Sequence, residues 1–141
     1  MATIPLRHSI TRVSPVRAAI CALVGVTAIV HLALGAMTSV MVATQPALVA
    51  TMGGAAALNV MAALFYCNFG GYVVLGAALY HPALHRFQHV VRWALVAYTA
   101  VTILAYFALA AGHYDAFGFV DKACEALLIG LLVAEGRRTG R

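Results

Sequence analysis

Hydrophobic residues run nearly unbroken through four stretches of this chain, 18–43, about 56–80, about 89–111 and 116–135. A helix needs about 20 apolar residues to cross a hydrocarbon core of roughly 30 Å, and each stretch meets or nearly meets that length. An open strand in lipid would leave its backbone polar groups unpaired, so the pattern predicts four transmembrane helices. The breaks between them are short. Segment 44–55 is uncharged and carries Pro46 and Gly53-Gly54, as an external loop with an interfacial turn would. His81-Pro82 closes the second stretch, with Pro82 suited to the first turn of the next helix. Segment 112–115 makes the third turn. Short connections put neighbours antiparallel, and the expected fold is an all-α, up-down, four-helix integral membrane bundle.

Spacings of three and four within the stretches mark faces. In the third, Gln88, Arg92, Leu95, Thr99, Thr102 and Tyr106 form one stripe. In the fourth, Asp121, Glu125, Leu128, Leu132 and Glu135 do the same, and polar groups on one face are expected to point into the bundle. The first and second carry stripes of small residues instead. These are Cys21, Gly25, Ala28, Leu32, Gly35 and Ser39, then Ala56, Asn59, Ala63, Cys67, Gly70 and Ala77. Small residues let membrane helices approach closely, so both stripes are expected to be packing faces.

Composition strengthens the membrane reading. Of 141 residues, 64% are hydrophobic and 9% charged, with a mean hydropathy of +0.95. Soluble domains carry roughly a quarter charged residues, so lipid must cover this surface. One domain is expected, a basic arm (1–17) leading into a transmembrane unit (18–135) and a basic tail (136–141). The net charge of +5 could suggest nucleic acid. Its placement excludes that reading. Every arginine lies before the first stretch, in the 81–92 connection or after the fourth. The positive-inside rule then puts both termini in the cytoplasm and the chain in the cytoplasmic membrane. The apolar run after the N-terminal arginines exceeds a signal-peptide core of roughly 7–15 residues, so it reads as a retained span. Cys21, Cys67 and Cys124 form no CxxC pair and read as small packing residues rather than a disulfide or zinc set.

Charge inside the fourth stretch changes the picture most. Asp121, Lys122 and Glu125 lie within one and a half turns of a segment that should be in hydrocarbon, where ionisable groups are costly and functional by default. At 1.5 Å per residue, His31 lies about 20 Å above the cytoplasmic end of its helix, Asn68 about 17 Å and Thr102 about 19 Å. Asp121 lies about 21 Å up and Glu125 about 15 Å, so polar groups from all four helices share one slab. Lys122 can pair with Glu125 at i,i+3. Two acids against one lysine leave one negative charge, to be met by a proton on His31 or on an acid. Three roles fit such a layer: a structural network fixing helix register, a proton or ion relay, or contact with a cofactor.

The remaining histidines offer less. His81, His85 and His89 repeat every four residues, but Pro82 makes His81 a cap, leaving only His85 and His89 to share a face. No Cys or carboxylate nearby completes a metal site, so an interfacial turn anchored by Trp93 is expected. A bis-histidine haem needs two histidines at one depth, and His31 alone is deep. His31 as single ligand of a haem or pigment, or a quinone between His31, Tyr106 and Glu125, stays open.

In order along the stretches stand His31-Leu-x-Leu-Gly35, Asn68-x-x-Gly71-Tyr72, Tyr98-Thr99-x-x-Thr102-Ile103 and Gly118-x-x-Asp121-Lys122-x-x-Glu125. Over about 25–135 this series resembles a group of small, uncharacterised four-helix integral membrane proteins, haloarchaeal and bacterial. The resemblance implies four spans and a joint role for the cluster residues, and implies no activity. The functional expectation is a non-enzymatic accessory or structural subunit, partnered by another membrane protein or by copies of itself. The alternatives are a small proton- or ion-coupled transporter, or a haem-, pigment- or quinone-binding subunit.

Overall fold

The computed structural model of the chain describes residues 14–109 and 116–139. The arginines before residue 14, the 112–115 turn and Arg141 lie outside them. The described residues form α1 (Pro15–Thr44), a short α2 (Pro46–Thr51), α3 (Gly54–Tyr80), a 3₁₀ segment (Pro82–Phe87) running into α4 (Gln88–Leu109), and α5 (Ala116–Thr139). The fold is all-α, and α1, α3 and the 82–109 helix are each long and apolar enough to cross a membrane.

Local chemistry fixes the helix ends. The Ser14 hydroxyl accepts the Arg17 amide at 3.3 Å, and Pro15 follows in the first turn, where its missing N–H costs nothing. Pro46 starts α2, so the 44–55 connection is a short helix rather than a loop. Gly53 and Gly54 then reverse the chain at φ +95° and +87°, a region open to glycine at little cost. At the other end of α3, the His81 Nδ1 accepts the Ala83 amide at 3.3 Å as a cap. Gln88 closes the corner by donating to the Leu79 carbonyl at 3.3 Å, one of the acceptors a helix end leaves open.

The long helices pack in a ring, α1 on α3, α3 on α4, α4 on α5 and α5 back on α1. Across the two diagonals, backbones stay more than 8 Å apart among the described residues, so long side chains must bridge the middle. Ile20, Val24, Ala28, Tyr72, Leu79, Leu95, Leu128 and Leu132 form the core.

Two of the expected faces differ in the structure. In α3 the small stripe turns outward, leaving Asn59, Ala63, Cys67 and Ala77 exposed. The inward line is Leu58, Ala62, Phe65, Phe69, Tyr72, Gly76 and Leu79, spaced four and three in alternation. In α1, Ala28 and Gly35 are buried, but Cys21 and Leu32 are exposed, and Ile20, Val24, Thr27 and His31 take the inner face. The reason is volume. Open diagonals need bulky side chains, and glycine is needed only at contacts such as Gly35 beneath the Tyr66 ring and Gly76 against Val24. Nor do the cysteines fill the core, since Cys21 and Cys67 are exposed and Cys124 is half-buried.

Candidate functional site

Glu125 sits at the centre of the molecule with none of its surface exposed. Its Oε1 accepts from the Tyr72 hydroxyl at 3.0 Å, and its Oε2 from Lys122 Nζ at 2.7 Å. Lys122 also reaches Asp121 Oδ2 at 2.9 Å, so one ammonium holds two carboxylates of its own helix. From α4, the Thr102 hydroxyl lies 3.0 Å from Tyr72 Oη and 2.8 Å from the Thr99 carbonyl, its single proton serving one or the other. From α1, His31 is only 3% exposed. Its Nδ1 must be protonated, because it meets the Thr27 carbonyl at 2.9 Å and a carbonyl only accepts. That leaves Nε2 pointing at Glu125 Oε1 across 4.0 Å, beyond hydrogen-bond length.

Tyr72 stands in the motif Asn68-x-x-Gly71-Tyr72, but the sequence did not assign it to the polar layer. A tyrosine in a membrane helix suggests the interfacial belt. This one stands eight residues before the end of α3, about 12 Å in, and its phenol crosses the α3–α5 diagonal to reach Glu125. The available signal was the run Phe65, Phe69, Tyr72 and Leu79, large residues at spacings of four, three and seven that return to one helix face.

His31, Asp121 and Glu125 present donor atoms within 4.8 Å of one another, a spacing that a metal could bridge. Two carboxylates and one ammonium sum to −1, and a divalent ion would carry the sum to +1, the same magnitude with the opposite sign. One positive charge balances the cluster. Lys122, already on both carboxylates, stands where a metal would compete.

Above the cluster, toward the end where α3 starts and α4 finishes, lies a cavity of about 410 Å³. Its floor is made by His31, Thr102, Asp121 and Lys122, and most of its walls are apolar. Asn68 lines the wall and does not bond the charged cluster; its Oδ1 accepts from the Tyr98 hydroxyl at 3.0 Å. Tyr106 also lines it, its ring 5.6 Å from Lys122 Nζ. Of the expected layer, then, Asp121, Lys122 and Glu125 bond directly, Thr102 joins through Tyr72, His31 faces Glu125 across 4.0 Å, and Asn68 lines the cavity beside them.

Below the cluster, Leu95, Leu128 and Leu132 are fully buried. Beneath them is a second polar knot. Glu135 takes Arg17 Nε at 3.1 Å on Oε1, with Tyr80 Oη at 3.2 Å and an Arg92 guanidinium nitrogen at 3.4 Å on Oε2. All four long helices meet there. The stripes of α4 and α5 contain Arg92 and Glu135, whereas Arg17 and Tyr80 carried no signal beyond their place at helix ends. His85 is exposed and His89 accepts the Trp93 indole N–H at 3.1 Å, and the group of three possible metal ligands found among the described residues, His31, Asp121 and Glu125, does not include them.

No protein-family model, no curated protein and no solved structure matches this chain.

Proposed function

We propose that the chain is a small multi-pass protein of the cytoplasmic membrane, crossing it four times with both termini inside, and that it acts as a non-enzymatic accessory subunit holding a small lipid-soluble molecule. The cavity carries this reading: about 410 Å³ of mostly apolar space ends blind on a charged floor. Ligand sites have this form, concave and apolar with a few polar groups, at roughly 300–1,000 Å³. The argument for α5 as the fourth span is that its three charges pair with one another, while Phe119, Val120 and Leu127 face outward. Arg17, Arg92, Arg137 and Arg138 gather at one end, in support of the orientation.

Blindness favours binding over transport. Between Glu125 and Glu135 lie about 15 Å of α5, and the inward residues in that interval are leucines. The test is to purify the protein from native membranes in mild detergent, extract it with solvent and identify released small molecules by mass spectrometry. Wild type is expected to release one species in near-stoichiometric amount. Ala105→Phe, which fills the cavity from its wall, is expected to release little. Equal amounts from both would place the molecule elsewhere and overturn the reading. For topology, alkaline phosphatase fused at residue 113 should be active and a fusion after residue 141 inactive.

A further inference from the structure

Resting on that reading, we infer that the cavity selects a monovalent organic cation: a lipophilic ammonium whose charged end meets Asp121 and His31 while its body lies against aromatic walls. Three observations point the same way. The first is charge. Asp121 and Glu125 share the single ammonium of Lys122, which leaves the cluster one positive charge short. An anionic head would set a third negative charge beside that one ammonium, which adds repulsion.

The second is His31. With Nδ1–H committed to the Thr27 carbonyl, neutral imidazole turns a bare acceptor toward a carboxylate oxygen 4.0 Å away. Two acceptors facing each other in a buried site call for a positive charge or a donor beside them. His31 lines the cavity, so the charge can arrive from there. A proton on Nε2 is the competing occupant, and the experiment separates the two.

The third is the wall. Phe65, Tyr106 and Phe117 line the space above Asp121, and aromatic faces attract cations. Tyr106 already does so with Lys122, so that ring turns toward the charged floor. Apolar walls alone would accept any greasy molecule. Aromatic rings over a floor of net negative charge add a preference of sign.

The test uses three ligands of nearly one shape. Benzyltrimethylammonium is a permanent cation with no proton to transfer, neopentylbenzene is its neutral carbon isostere, and phenylmethanesulfonate is its anionic counterpart. Binding is measured by equilibrium dialysis against the full chain in nanodiscs of neutral lipid, with empty discs as the blank. The cation is expected to bind at least tenfold tighter than the isostere, with the sulfonate weakest. In Asp121→Asn the preference for the cation should fall to near parity. Neopentylbenzene should bind that variant as it binds wild type, which also reports that the cavity is intact. If the neutral isostere binds wild type as well as the cation does, a proton already balances the cluster; the selection of cations is overturned and the cavity remains a binding site. If none of the three exceeds the blank, both the cation site and the holding role fail.

Discussion

Lys122 is the residue on which the cluster turns, because it neutralises two buried carboxylates at once. Removing one partner of a buried pair leaves an uncompensated charge and typically costs about 3–5 kcal/mol. Lys122→Ala is therefore expected to lose about that much in an SDS-titrated unfolding experiment, with a clearly lower melting temperature. Lys122→Ala with Glu125→Ala removes a charge of each sign and should be the more stable of the two variants. Equal melting would mean that Lys122 does not hold Glu125. Tyr72 makes a separate test. Tyr72→Phe keeps the ring and deletes the hydroxyl that supplies Glu125 Oε1, and a hydrogen bond to a charged group is worth about 1.5–3 kcal/mol. Tyr98→Phe deletes a half-buried hydroxyl bonded to the Cys67 carbonyl and Asn68, both uncharged, and should cost about 0.5–1.5 kcal/mol in the same assay.

At the scale of helices, the faces that could be read from sequence are those marked by polar side chains. In α4 the stripe through Arg92, Leu95, Thr99 and Thr102 is buried, and in α5 so is the stripe through Asp121, Glu125, Leu128, Leu132 and Glu135. A polar group in an apolar helix has few places to go, so its position names the inner face. Helix α3 lacks such a series and α1 offers only Thr27 and His31 on its inner face, so both have little of the contrast that amphipathicity needs. Small residues then looked like the best guide. They misled in α3 because a ring of four helices with open diagonals is filled by Phe65, Tyr72 and Leu79. Glycine matters there at single contacts. At Gly76 a methyl group would lie 2.6 Å from Val24 Cγ1, an overlap expected to cost Gly76→Ala about 1–3 kcal/mol. Gly25, mid-helix in α1, has nothing within 4 Å of that position. Gly25→Ala should gain up to about 1 kcal/mol from helix propensity. Opposite shifts in melting temperature are the expected pair, and Val24→Ala should partly rescue Gly76→Ala.

Taken whole, the molecule is two polar knots separated by an apolar plug. The sequence placed four stretches and brought Asp121, Glu125 and His31 to one depth, but the plug was not legible, because it depends on which leucines of four helices meet. Leu95 comes from α4, Leu128 and Leu132 from α5, and Ile20 and Leu79 close the other sides. Thr99 sits among them, yet its hydroxyl donates to the Leu95 carbonyl at 2.8 Å within its own helix. A proton leaving Glu125 toward Glu135 would need donors and acceptors at intervals of about 3 Å. Along α5 it meets Leu128 and Leu132 instead, across about 15 Å. Proteoliposomes carrying the chain are therefore expected to hold an imposed pH gradient as long as empty liposomes do, followed with an entrapped pH-sensitive dye. Leu128→Asp should destabilise the fold by placing an unpaired acid between the knots, and it should not create a conducting path by itself, since Leu132 and Leu95 remain. Wild-type vesicles that dissipate the gradient faster than empty ones would mean that the plug opens, and would shift the function from holding a molecule to moving a proton.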